Sequence, residues 1–174
     1  MPEHRPGTPT AFEALESFLW WDFRDAGDWG AWARKWGLAP TKSSALATYE
    51  LALAAQALLR RLESVNNGAK PDGSAIDALN ELIGQLDIRP ELSPSGKFAL
   101  ASNARSVSRP VAAMLILALE AMSAGIWHRF KLCRDPTCSA SFYDSSKSAT
   151  KIWCSMAICG SRNKMRRFRE RRRS

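Results

Sequence analysis

Four cysteines crowd into one stretch of this chain, "CRDPTCSASFYDSSKSATKIWCSMAIC". Cys133 and Cys138 are separated by four residues, as are Cys154 and Cys159, with fifteen residues between the pairs. A tetrahedral metal needs four soft ligands converging from short segments, and two paired cysteine turns supply them. The spacing predicts one structural Zn²⁺ held by Cys133, Cys138, Cys154 and Cys159. Two disulfides or four unrelated buried thiols are the alternatives. Disulfides fit poorly with an opening "MPEHRPGTPTAFEALES" that has acids and prolines where a secretion signal has a basic start and an apolar run. Unrelated thiols have no reason to fall in paired, equal spacings. A Cys₄ site leaves no open position for substrate, so the expected zinc is structural and not catalytic. Within the stretch, Asp135-Pro136 reads as a tight knuckle, Cys159-Gly160 as the opening of a helix, and the spacer as a short hairpin with a return crossing. His128 is not needed as a ligand, and His4 is expected in a loose terminus.

Charge follows the cysteines. Residues 1–130 carry 13 basic and 14 acidic side chains, whereas residues 131–174 carry 12 basic and 3 acidic. A partner drawn by positive charge would therefore meet the C-terminal quarter. No segment reaches the ~20 apolar residues needed to cross a bilayer, and the expected location is cytoplasmic, without membrane contact.

The first three quarters read as helical. "FEALESFLWWDFRD" is apolar enough to be buried, though its periodicity does not separate helix from strand. Trp29, Trp32 and Trp36 share a helical face that stops near Gly37. They fit a core, an aromatic ligand box being the alternative. Thr41 or Ser43 is expected to cap a long Ala/Leu-rich helix ending at Asn66-Asn67-Gly68. A further helix is expected near Ser74–Leu86, a small β-hairpin around "SPSG", and an apolar helix from about Val107 to Trp127 with Pro110 in its first turn. Glu120 within that last helix is either a ligand-reading carboxylate or an edge residue. A domain boundary is expected near His128–Lys131.

Trp153-Cys154-Ser155-Met156, two residues, then Cys159-Gly160-Ser161-Arg162, with Cys133 and Cys138 before them and Phe142 and Asp144 between, resembles the CGNR zinc finger. In that family the finger follows a helical ABATE domain of stress-induced transcription regulators, and "FLWWDFRDAGDWGAWARKWGL" sits where that domain would open. Ser161 replaces the motif's asparagine, and Trp20-Trp21-Asp22-Phe23 departs from the family's opening pattern. The resemblance implies a mainly α protein with a small β-hairpin. Residues 1–130 would form a helical ABATE-like domain for sensing or dimerising, and residues 131–174 a treble-clef-like Cys₄ zinc finger.

Beyond the metal, Arg162, Arg166, Arg169 and Arg173 lie on one helical stripe, and Lys164, Arg167, Arg171 and Arg172 widen it. A helix so charged repels itself unless anions meet it. A zinc site at its start can nucleate it, and phosphates can neutralise it. Arg162, Lys164, Arg166, Arg167 and Arg169 are the candidate nucleic-acid contacts, with Arg162 also able to pair with Asp144. The expected function is a zinc-binding, DNA-binding transcription regulator. RNA binding and a protein-interaction adaptor are the alternatives, and a small-molecule effector and a homodimer are compatible with the helical part. No Ser/His/Asp or Cys/His arrangement and no Gly-rich phosphate loop stands in the sequence, so no enzyme is expected.

Overall fold

Asp25 and Asp72 show how local chemistry starts the helices. The computed structural model describes residues 10–38, 45–104 and 108–172. In it, α1 (Glu13–Trp20) and α2 (Ala26–Lys35) are followed by α3 (Ala45–Asn66) and α4 (Gly73–Gln85). A hairpin comes next, β1 (Ile88–Leu92) and β2 (Phe98–Ser102), and then α5 (Arg109–Ser123). Asp25 accepts from the Asp28 backbone N–H at 2.8 Å, and Asp72 accepts from that of Ala75 at 3.3 Å, each satisfying an otherwise orphaned donor. Gly37 ends α2 with φ 68°, which lets the Leu38 N–H reach back to the Ala33 carbonyl at 2.8 Å. Thr41 and Ser43, expected to cap α3, lie outside the described residues.

The core forms where the apolar faces of these helices meet. Phe18, Phe23, Trp29 and Trp32 are buried together, with Trp29 and Trp32 stacked at 5.2 Å and 13°. Trp32 donates its indole N–H to the Ser17 hydroxyl at 3.0 Å. Trp29 and Trp32 are thus core, with Trp36 half-buried against them. Along α5, Val111, Met114, Leu115, Ala118 and Ala121 are buried at helical spacing, and Pro110 occupies the first turn. Glu120 is half-buried on that helix, and Arg109 is exposed at its start. The last carbonyls of α1 receive donors from α3: Gln56 bonds those of Phe18 and Trp21, and Arg60 bonds that of Leu19. The hairpin pairs Ile88 with Ser102 through Leu92 with Phe98, as the sequence predicts, closing around Gly96 at φ 75°. No helix among the described residues is long and apolar enough to cross a membrane.

The C-terminal part adds β3 (Phe130–Leu132), β4 (Ser141–Tyr143) and α6 (Ser161–Arg171). β3 and β4 are antiparallel and bracket the first cysteine pair. The expected hairpin is therefore not inside the fifteen-residue spacer, because the strand that pairs with β4 precedes Cys133. α6 does not begin at Cys159 either. A wide turn over Met156–Gly160, capped by Ser155 accepting from the Ile158 N–H, leads into it.

This part is fastened to the helices by polar bonds, most of them part-buried. Phe130 is fully buried and stacks on Trp127 at 5.3 Å. Asn66 donates to the carbonyls of Trp127 and Phe130, both at 2.8 Å. Asn67 donates to the Leu132 carbonyl and accepts from its N–H. Glu16 of α1 accepts from the Tyr143 N–H at 3.1 Å. Glu63 of α3 accepts from the Ser141 hydroxyl. Two asparagines at the end of α3, read from sequence only as a helix stop, in fact hold strand β3.

Candidate metal centre

The two cysteine pairs come from two separate turns. Cys133 leaves β3 with its N–H bonded to the Ala140 carbonyl at 2.8 Å, and the Cys138 N–H turns back onto Asp135 at 2.9 Å. Cys154 precedes the turn over Met156–Gly160, and Cys159 lies within it. Gly160 fits there because a side chain would press on Met156 and Trp153: a Cβ would lie 3.0 Å from the Met156 sulfur.

The four Sγ atoms all lie within 4.8 Å of one another. Cys138 to Cys154 and Cys154 to Cys159 are each 3.7 Å. Four sulfurs bound tetrahedrally at about 2.3 Å stand ~3.8 Å apart, so the quartet fits a zinc ion and is far too open for disulfides. Cys133 and Cys159 are buried, and Cys138 and Cys154 are half-buried.

Without a cation the quartet resists full ionisation. Burial pushes the Cys154 thiol up to about 11, helped by its neighbour Cys138 and by charge on Cys133. Burial raises Cys159 further still. At Cys138 burial also opposes ionisation, but the Ala140 backbone and the other thiols outweigh it and lower its pKa. A metal that binds all four as thiolates must therefore expel protons.

Two buried aspartates brace the loops by the same device. Asp135 accepts from the Thr137 N–H at 3.1 Å and its hydroxyl at 3.0 Å. Asp144 accepts from the Ser146 N–H at 3.0 Å and its hydroxyl at 2.6 Å. Each carboxylate also holds one cation. Asp135 pairs with Arg162 at 2.8 Å, and Asp144 with the buried Lys131 at 2.8 Å. Burial alone would raise Asp144, yet Lys131 and Ser146 bring it down to about 2. At Asp135 burial is likewise outweighed, by Thr137 and Arg162, and its pKa falls.

Arg162 thus straps the first knuckle to α6 through Asp135 and Thr137, not through Asp144 as the sequence allowed. The signal for these aspartates stands in the sequence as Asp-x-Thr and Asp-x-Ser, side chains that close their own turns.

Residues 129–172 match the model of the CGNR zinc finger family. That quarter of the chain is similar to a CGNR zinc finger. No curated protein matches the chain. The four cysteines accordingly form the site for one structural zinc, with Cys133, Cys138, Cys154 and Cys159 as its thiolate ligands. When bound, the metal supplies cross-linking between β3, β4 and α6, which a segment this small needs to hold a fixed shape.

Where the motif has asparagine this finger has Ser161, whose hydroxyl donates to the Met156 carbonyl at 3.3 Å. Asn163, two residues on, is the buried amide. It donates to the Cys159 carbonyl at 2.8 Å and accepts from Arg166, fixing α6 against the metal turn. Sequence reading missed it, because one asparagine in a run of cations has no periodic signature.

α6 brings all five candidate nucleic-acid residues onto one helix. Two have partners within the finger, Arg162 on Asp135 and Arg166 on Asn163. Lys164, Arg167, Arg169 and Arg171 are exposed and have no acidic partner among the described residues. Arg172 lies over the Phe168 ring at 5.6 Å. Arg173 lies outside the described residues.

Proposed function

We propose that the protein is a zinc-dependent, DNA-binding transcription regulator. The observation that carries this reading is the zinc centre at the root of α6. The centre fixes the helix by its first turns and leaves Lys164, Arg167, Arg169 and Arg171 facing solvent as exposed cations. Duplex DNA presents a regular row of phosphates on each strand, and a stiff cationic helix meets them without first having to be ordered. Arg162 and Arg166 contribute charge but act first as supports, so phosphate contact falls chiefly to the other four. The regulatory part of the reading rests on the chain's resemblance to regulators with an N-terminal helical domain. In this reading residues 1–130 bind an effector or a second copy, and the polar bonds from α1 and α3 to β3 and β4 carry that state to the finger.

The test is an affinity measurement on the zinc-loaded full chain, with duplex DNA and with structured RNA, across a salt series. The expected result is tighter binding to duplex DNA, with log K falling linearly against log salt, and a large loss on charge reversal at Arg167 and Arg171. No affinity for the duplex, or affinity unmoved by those reversals, refutes the reading. Tighter binding to RNA replaces it with an RNA-associated role.

A further inference from the structure

One surface of α6 is unburied and uncharged until its last turn, where Arg172 lies over the Phe168 ring. Ser161, Met165, Phe168 and Arg172 follow one another at helical spacing on the side away from the buried Asn163. Met165 is 51% and Phe168 48% exposed, large values for apolar side chains. Along one flank of this crest run Arg162, Arg166 and Arg169, and along the other Lys164, Arg167 and Arg171. The crest also stands between two grooves. One, of about 470 Å³, is bounded by Thr137, Arg162, Met165, Arg166, Arg169 and the acidic Glu170. The other, of about 500 Å³, is bounded by Lys164, Arg167, Arg171 and Trp153.

We infer that α6 enters the major groove of duplex DNA crest first, with Met165 and Phe168 reading thymine C5-methyl groups while Arg169 on one flank and Lys164, Arg167 and Arg171 on the other hold the opposing phosphate backbones. The inference rests on the duplex-binding reading above and adds a residue pair that selects sequence. Charge complementarity argues for it: an apolar ridge between two cationic rows matches a groove whose walls are anionic and whose floor carries methyl groups. Size argues for it as well. A helix with its side chains is about 10–12 Å across, and the B-form major groove is about 12 Å wide. The deep, narrow major groove of A-form RNA admits no such helix. Arginines alone would favour guanine edges or no base at all. The apolar crest adds a surface whose natural complement in that groove is the thymine methyl, the one apolar group displayed there.

The experiment compares an alternating A·T duplex with the same duplex built from deoxyuridine, which lacks only that methyl, using the zinc-loaded full chain and its M165A/F168A variant. Both residues are exposed, so the variant should keep its fold, and its zinc content verifies this. The native chain should bind the thymine duplex at least about fourfold more tightly, the change expected for one methyl withdrawn from water. The variant should lose that preference and keep its salt-dependent affinity. Equal affinity of the native chain for both duplexes overturns the inference and leaves the duplex-binding reading standing. A preference that survives in the variant also overturns it, since DNA shape would then be its source. Absence of binding to either duplex removes the reading and the inference together.

Discussion

Replacing Glu63 by glutamine should stabilise this protein, and increasingly so as pH rises. Glu63 sits on α3 with no exposure at all. Its Oε2 accepts from Ser141 of β4, and its Oε1 has no partner among the described residues. Arg60 on α3 favours its ionisation and Glu16 on α1 opposes it, but burial dominates and pushes the carboxyl from 4.5 up to about 8. The folded pKa is raised, so the folded state holds this proton more tightly than the unfolded chain does. Stability from this residue is complete below about pH 4.5, where both states are protonated. It drains away by about 1.4 kcal/mol per pH unit until the folded carboxyl ionises near pH 8. At pH 7 the loss amounts to about 3 kcal/mol. Glutamine keeps the shape and the Ser141 bond but does not titrate. Urea unfolding of zinc-loaded Glu63→Gln and native chains between about pH 5 and about pH 8 reads the difference directly. The zinc site's own pH dependence is common to both and cancels. The variant's advantage should grow by several kcal/mol over that range. A difference that stays constant with pH would refute the argument, because it would mean that Glu63 is ionised in the fold.

Three further outcomes follow from the site. Zinc uptake should release protons and tighten as pH rises, because burial holds the Cys154 and Cys159 thiols above their ordinary range; calorimetry in buffers of different ionisation enthalpy measures the proton count. Arg162→Ala and Asp135→Asn should each weaken zinc by roughly 10–100-fold in a competition assay with a chromogenic chelator, since the pair fixes the first knuckle against α6, and the double variant should lose little more than either alone. Asp144→Asn should lower stability at neutral pH and flatten the acid limb of the pH profile. The depressed carboxylate contributes above its unfolded pKa near 3.9, and that contribution is lost as pH falls through about 2.

What could be read from the sequence was what has a short repeat distance. Equal spacings announced the cysteine quartet, helical spacing announced the Trp29–Trp32 core and the α6 cations, and "SPSG" announced the β1–β2 hairpin. The polar frame behind the finger could not be read in that way. Glu63 meets Ser141 across 78 residues and Glu16 meets Tyr143 across 127, and nothing in either neighbourhood encodes the partner. Periodicity reports which face is buried, not which distant group will satisfy a buried carboxylate. The role of Arg162 was misread for the same reason. Asp135 and Asp144 are equivalent on paper, and only the folded turn shows that the first is the one beneath α6. Ser161 and Asn163 make a similar case. The motif directs the eye to the position after Cys-Gly, while the amide that locks the helix sits two residues later.

The measurement that bears most directly on the whole account is the salt dependence of duplex-DNA affinity, taken on the full chain with zinc bound and again after zinc is removed by a chelator. With zinc, log K should fall linearly against log salt with a slope of about −0.9 per phosphate contacted, and Lys164→Ala together with Arg167→Ala should reduce that slope by about two. Without zinc, the affinity and the steep slope should both collapse, because α6 loses the anchor that holds its cations in line. The same slope and affinity in the stripped protein would contradict the claim that the four-cysteine centre exists to aim this helix.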